Sequence, residues 1–130
     1  MFYQDEVKMF ELDVTREFSA AHFLRGYNGH CQNLHGHNWS VQVFVQAEKL
    51  DEIGISVDFV HLKKVLDGIL SELDHHFLNE LPGFADCNPT SENLARYIFK
   101  RLSSELNDGR VKVSKVRVCE TATSGASYFE

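Results

Sequence analysis

The chain has 130 residues, and its 43% hydrophobic and 25% charged content is ordinary for a single globular domain spanning 1–130 with a proper core. A formal net charge of −6 argues against general binding to nucleic acid or to membrane surfaces, although a local basic pocket stays open. No apolar run approaches the ~20 residues of a membrane span, the first residues lack signal-peptide character, and three sparse cysteines favour a reducing cytoplasm.

Two strands are predicted first, over residues 10–22 and 35–48. Apolar and polar residues alternate in both segments, which is typical of half-buried strands. His22 keeps the parity of Phe18, and His35 and His37 keep the parity of the apolar face of the second strand. Two adjacent strands would therefore direct three imidazoles to the same side of a sheet.

Two helices follow. The first is predicted to begin after Asp58, a suitable N-cap, and its apolar residues recur at three- and four-residue spacing as far as Leu73. The second begins at Thr90, which can also cap. Residues 111–121 are strand-like, and residues 128–129 either continue this strand or add another. The order β, β, α, α, β, with a further strand left open, predicts an α+β fold with an antiparallel sheet and helices on one face.

A metal site is predicted within residues 22–37, which contain His22, Cys31, His35 and His37. Imidazoles and thiolates suit zinc, and three histidines with an open fourth position are typical of a catalytic zinc. Two alternatives stay open. The histidines can be ordinary core residues, or Cys31 can close a structural site with three histidines and one cysteine. The chain lacks a CxxC pair, which weakens the structural-zinc alternative.

Two further groups are candidates for chemistry. Asp74 can orient His75, which can then move a proton, although the sequence does not choose between His75 and His76. The alternative is that this segment only caps a helix. Glu120 has the parity of Val118 and is expected to point inward, where a carboxylate needs a partner such as a heterocycle with two adjacent N–H groups. The alternative is a solvated carboxylate at a sheet edge.

Taken together, six segments resemble the 6-pyruvoyl-tetrahydropterin synthase superfamily from about Phe18 to Glu130. They are Phe18-Ser-Ala-Ala-His22, Cys31-x-x-x-His35-Gly-His37, Val57-Asp58-Phe59, Leu73-Asp-His-His76-Phe-Leu-Asn79, Pro89-Thr-Ser-Glu92-Asn-Leu-Ala95 and Cys119-Glu120-Thr121. The short spacing from Cys31 to His35 resembles the bacterial branch, the 6-carboxytetrahydropterin synthases of queuosine and other 7-deazaguanine pathways. The first eight residues match none of these segments, and we expect them to be a flexible start.

The resemblance implies a tunnelling fold, in which each subunit contributes a four-stranded antiparallel sheet and two helices. Three sheets close into a barrel and two trimers stack into a homohexamer. It further implies intersubunit active sites, with Cys31, Glu120 and the three histidines from one chain and Asp74 and His75 from its neighbour.

The resemblance also implies the chemistry. One Zn²⁺ per subunit is held by His22, His35 and His37. Cys31 acts as the base, Asp74 and His75 relay protons, and the pterin is held by Glu120 and groups near Thr90. The implied substrate is 7,8-dihydroneopterin triphosphate, and the products are 6-carboxy-5,6,7,8-tetrahydropterin, acetaldehyde and triphosphate. Three rivals remain: a pyruvoyl-forming synthase, a side-chain-cleaving aldolase and a non-catalytic zinc-binding module.

Overall fold

The protein forms one four-stranded sheet with two helices, as seen in a computed structural model that describes residues 8–130. The strands are β1 (Phe10–His22), β2 (His35–Ala47), β3 (Val111–Thr121) and β4 (Ser124–Phe129). The helices are α1 (Phe59–Leu70) and α2 (Ser91–Leu106). The strand order is β1-β2-β3-β4 and every neighbouring pair is antiparallel, which confirms the predicted fold class. Residues 1–7 of the expected flexible start lie outside the described residues.

One face of the sheet carries the core. α1 packs against β1, and α2 packs against β3 and β4 on the same side. The alternating apolar residues of each strand point to the helices, and those of the inner strand β2 are all buried. Fully buried members of this core include Trp39, Val41, Val43, Val45, Leu62, Leu66, Leu94 and Ile98. No helix within residues 8–130 has the length and apolar character that a membrane crossing requires.

Both helices begin where their caps predict. The Asp58 carboxylate accepts a hydrogen bond from the Val60 amide at 2.8 Å, and the Thr90 hydroxyl accepts one from the Asn93 amide at 3.1 Å. α1 ends at Leu70, three residues earlier than its apolar spacing predicts, because the chain tightens into turns. The Leu73 amide bonds the Leu70 carbonyl at 3.0 Å, which keeps Leu73 buried without extending the α-helix.

The opposite face of the sheet is polar, and its charges are separated by strand. β1 presents three acidic side chains on this face, whereas β3 presents three basic ones. The acidic members are Glu11, Asp13 and Glu17, and the basic members are Lys112, Lys115 and Arg117. Contacts between strands, such as Gln42 to Asp13 at 3.2 Å and the Lys115 ammonium over the Phe44 ring at 4.1 Å, lie on this face. β1 and β4 form the two edges of the sheet.

Candidate metal centre

Three imidazoles converge at the end of the sheet where β1 finishes and β2 starts. The antiparallel register pairs His22 directly with His35 and places Ala20 opposite His37, so the three histidines share one face. One ring nitrogen from each residue lies within 4.8 Å of those of the other two. A tetrahedral zinc places its nitrogen ligands about 3.4 Å apart, so small ring movements would bring all three onto one ion.

Trp39 forms the floor of this cluster. Its side chain is fully buried, and its indole N–H donates to the Ala20 carbonyl at 3.2 Å. The His22 and His37 rings meet it edge-on, with centroids 4.9 and 5.1 Å from the indole. Trp39 has the same parity as His35 and His37, so the strand alternation assigns it to the same apolar face. Parity alone does not identify it as the floor of a metal site.

Backbone carbonyls orient two of the rings. His22 Nδ1 lies 2.7 Å from the Pro89 carbonyl, and His35 Nδ1 lies 2.7 Å from the Asn33 carbonyl. A carbonyl oxygen only accepts, so each Nδ1 carries the proton and each Nε2 has a free lone pair. The Nε2 atoms of His22 and His37 are buried without a hydrogen-bond partner. Such orphaned nitrogens are costly unless they bind something, and a metal ion fits this donor set.

Burial also favours the neutral form of the imidazole rings, which is the form that binds a metal ion. Desolvation lowers the pKa of His22, against the raising effect of its bond to the Pro89 carbonyl. Desolvation likewise lowers the pKa of His37, although the nearby Glu120 carboxylate opposes the shift. A metal ion binds the lone pair of the neutral ring, so both shifts prepare the residues as ligands.

Glu120 lies beside the histidines. Its Oε2 is 3.7 Å from His37 Nε2, and its side chain is about one-third exposed. It sits where the β3–β4 register shifts, between Cys119 paired with Gly125 and Thr121 paired with Ser124. An irregularity of this kind can redirect a side chain at a functional site. The sequence alone did not indicate the shift.

Asp74 and His75 lie at the outer edge of β1. Asp74 Oδ1 accepts from the Ser19 amide at 2.8 Å, and its Oδ2 is 2.9 Å from His75 Nδ1. The Ser19 bond is the main reason why the pKa of Asp74 is lowered. His75 has a positive φ of 58° and its amide donates to the Ser19 carbonyl at 2.6 Å. The segment is therefore fastened to β1, and the His75 side chain is 82% exposed.

A hollow of about 550 Å³ lies beside these groups. Its lining includes His37 and His75 together with Ser19, Gly36 and Asn38. Within this lining, the Ser19 hydroxyl donates to Asn38 Oδ1 at 2.7 Å. Sequence reasoning did not single out Ser19 or Asn38, whose alternation marks them only as polar-face residues. A larger hollow, about 680 Å³, lies at the opposite end of the sheet and contains none of the predicted site residues.

Cys31 and Thr90 are the remaining predicted site residues. Cys31 lies half-buried in a single 3-10 turn, His30–Gln32, and its carbonyl accepts from the Leu24 amide at 2.7 Å. Within residues 8–130, the group close enough to hold a metal comprises the three histidines and leaves Cys31 outside. Thr90 caps α2 and directly follows Pro89, whose carbonyl contacts His22.

Comparisons with known proteins give a consistent result. The family model described as 6-pyruvoyl tetrahydropterin synthase matches residues 11–130. A 6-carboxy-5,6,7,8-tetrahydropterin synthase of Synechocystis sp. is 39% identical over 123 residues, covering 89% of this chain and 92% of the relative. A dihydroneopterin monophosphate aldolase of Pyrococcus furiosus is 39% identical over 103 residues, covering 79% and 82%. The structure of Caenorhabditis elegans 6-pyruvoyl tetrahydropterin synthase superposes with a TM-score of 0.85 at 28% identity, covering 98% and 99% of the two chains.

Proposed function

Because this chain belongs to the 6-pyruvoyl tetrahydropterin synthase family and is a lyase that acts on pterins, we propose a specific reaction for it. It converts 7,8-dihydroneopterin triphosphate and one water to 6-carboxy-5,6,7,8-tetrahydropterin, acetaldehyde and triphosphate. The convergence of three imidazoles beside the Glu120 carboxylate carries this proposal. A relative of that activity, 39% identical over most of both chains, supports the choice of product.

The proposed metal is zinc, one ion per chain, held by His22, His35 and His37. The unpartnered, buried Nε2 atoms of His22 and His37 and the lowered pKa values of these two residues support this assignment, and His35 completes the cluster by its position. A bound zinc would supply Lewis-acid polarisation of the oxygens on the substrate side chain. Three neutral imidazoles leave the positive charge of the ion uncompensated. An ion of this kind polarises a substrate oxygen better than an ion whose charge is neutralised by several thiolates, as in a structural site.

The other predicted residues take complementary roles. The Cys31 thiolate removes a proton from the substrate side chain. Asp74 holds His75 through the 2.9 Å contact, and His75 exchanges protons with the substrate on the opposite side. The Glu120 carboxylate accepts two adjacent N–H groups of the pterin, with Thr90 close to the same ring. Triphosphate leaves by elimination, and cleavage of a carbon–carbon bond in the side chain releases acetaldehyde.

The proposed working form is a homohexamer with shared active sites. β1 and β4 are the edge strands of the described chain, although residues 74–76 cover β1 near Ser19 and Ala21. Joining β1 of one copy to β4 of the next would place the acidic side chains of β1 one strand away from the basic ones of β3. The side chain of His75 is 82% exposed beside that β1 edge, where it can enter a neighbouring site. The loop that carries it would then complete the site across the junction.

This assembly predicts that the purified protein has the mass of six chains in solution. Light scattering coupled to size-exclusion chromatography measures that mass directly. Lys115→Glu, which replaces one of the basic side chains of β3, should shift the population towards smaller species, since a negative charge would then lie one strand away from the acidic side chains of the neighbouring β1. Lys64→Glu, an exposed change on α1, serves as the control. A wild-type protein that stays monomeric at all concentrations would contradict the shared sites.

The reaction predicts a defined set of products. Zinc-loaded protein incubated with 7,8-dihydroneopterin triphosphate should release acetaldehyde and triphosphate in equal amounts, together with a carboxypterin identified by mass spectrometry. A pyruvoyl pterin without acetaldehyde would assign the chain to the pyruvoyl-forming synthases. Release of a glycolaldehyde that still carries the triphosphate would indicate an aldolase. The absence of turnover would favour a binding module.

We place this activity in queuosine and 7-deazaguanine biosynthesis, and the protein in the cytoplasm. All three cysteines are free thiols, as a reducing compartment would keep them. A carboxylated tetrahydropterin has no reactive side-chain ketone, so the next enzyme must act on the carboxylate or the ring.

A further inference from the structure

Two asparagine side chains take the place of a neighbouring strand just beyond β1. The Asn79 amide accepts from the Phe23 N–H at 2.9 Å and donates to the Phe23 carbonyl at 3.0 Å. Asn88 makes the same pair of bonds to Arg25, both at 2.9 Å. A carboxamide offers one acceptor and a donor group, as a peptide unit does, so each asparagine imitates one residue of a paired strand.

Leu24, which lies between Phe23 and Arg25, directs its backbone N–H to the opposite side. The Leu24 amide donates to the Cys31 carbonyl at 2.7 Å, towards the side of β2. After β1 has ended, the backbone N–H and C=O groups of Phe23 and Arg25 are therefore hydrogen-bonded to the asparagines on one side, and the Leu24 N–H is bonded to Cys31 on the other. This short segment is joined directly to His22 on one side, and it holds the turn that contains Cys31 on the other.

The Arg25 side chain also binds the loop that contains both asparagines. Its guanidinium donates to the Phe84 carbonyl at 3.1 Å and to the Asn79 carbonyl at 3.2 Å. The guanidinium also lies over the Phe23 ring, 5.6 Å from its centroid. The loop that spans residues 79–88 is thus bound to residues 23–25 through side chains of both segments.

The loop ends at the carbonyl that orients His22. Asn88 directly precedes Pro89, and the Asn88 carbonyl itself accepts from the Thr90 amide and from the Asn93 side chain, both at 2.9 Å. The Pro89 carbonyl lies before the first helical bond of α2, which joins the Leu94 amide to Thr90, and so it is free to accept from His22 Nδ1 at 2.7 Å. Asn88 is thus the residue directly before the carbonyl that contacts His22.

We infer that Asn79 and Asn88 are positioning residues for the metal centre. They fix the Pro89 carbonyl on His22 Nδ1, which keeps the proton on that nitrogen and aims the Nε2 lone pair at the ion. They also hold residues 23–25, which carry the turn of Cys31. This inference rests on the proposed metal site, because positioning has a purpose only if His22 binds a metal.

The test measures zinc affinity and the state of His22 separately. Asn88→Ala should weaken zinc binding about 10- to 100-fold, the usual cost of removing an outer partner of a metal ligand. Affinity is read by competition between the protein and a chromophoric zinc chelator. The His22 Nδ1 proton is followed by nitrogen-15 NMR of the metal-free protein, where its hydrogen-bonded signal should disappear in the variant.

The matched control is Asn107→Ala. Asn107 Oδ1 accepts from the Val113 amide at 2.8 Å, so this variant also loses a bond from an asparagine side chain to the backbone, but at the other end of the sheet. It should lower thermal stability and leave both zinc affinity and the His22 signal unchanged. If Asn88→Ala does not fold, Asn88→Asp keeps the acceptor for the Arg25 amide and should show a smaller loss of affinity.

The outcomes are distinct. Wild-type zinc affinity and an intact His22 Nδ1 signal in Asn88→Ala would overturn the inference. A wild-type protein that binds no zinc would overturn the proposed metal site, and the inferred role of the asparagines in metal binding with it. In that case the NMR signal would still show whether they hold the imidazole.

Discussion

Replacing His37 by alanine is expected to weaken zinc binding by more than about 100-fold, because loss of a direct ligand should exceed the cost of losing an outer partner. The variant should also lose turnover. His37 is the best of the three for this test, since His22 is more deeply buried and bonded to the Pro89 carbonyl. Metal content after dialysis, measured by mass spectrometry, gives the stoichiometry.

Tryptophan fluorescence supplies an independent measure of metal binding at this site. Trp39 is the only one in the chain, and its ring lies 5.1 Å from that of His37. Cobalt bound at the site should quench its emission in the wild-type protein and leave it unchanged in His37→Ala. His61→Ala, on an exposed position of α1, is the control and should retain one metal ion. A His37→Ala protein that keeps one tightly bound zinc would refute the assignment of this residue as a ligand.

Replacing Cys31 by alanine should reduce turnover about 10²- to 10⁴-fold, the range typical of a lost general base. Zinc content should remain at one ion per chain, because Cys31 lies outside the cluster of three histidines. Separating these two effects distinguishes a base from a ligand. Product formation from 7,8-dihydroneopterin triphosphate is measured alongside metal content on the same preparation.

Cys87→Ala is the matched control for this prediction. Cys87 is also a half-buried free thiol, and its Sγ makes only a 3.5 Å contact to the Gly83 carbonyl. This variant should turn over at the wild-type rate. If Cys31→Ala loses zinc together with activity, the thiol is a fourth ligand and the site is of the closed kind. Full turnover in Cys31→Ala would eliminate the residue as the base.

Asp74 belongs to a segment with more contacts than its sequence reveals. The sequence allowed the segment from Asp74 to His76 to serve only as a helix cap, and the Asp74 amide does donate to the Leu70 carbonyl at the end of α1, at 2.8 Å. In addition, the Asp74 carboxylate bonds the Ser19 amide of β1, and His76 contributes its carbonyl to the Ala21 amide at 3.2 Å. The segment therefore protects part of the exposed edge of β1, because it satisfies backbone groups that no strand in residues 8–130 pairs there.

By itself, the sequence determined the features that depend on local periodicity. Strand alternation has a period of two, so the parity of His22, His35 and His37 could be read from neighbouring apolar residues, and burial of one face then fixed the register. The caps at Asp58 and Thr90 were equally readable, since a cap involves bonds within three residues. The same reasoning gave an antiparallel sheet with helices on one face and the side on which the imidazoles lie, but it left the fourth strand open, and the four-stranded sheet was an implication of the family resemblance.

Only the tertiary structure decided which atoms complete the site. The Pro89 carbonyl is 67 residues from His22, and the pair of bonds from Asn79 spans 56 residues. Contacts at such separations depend on the path of the whole chain, and asparagine and proline carry no periodic signal that would reveal their partners. The proton on His22 Nδ1, and hence the direction of its free lone pair, follows from those contacts and not from any pattern in the sequence.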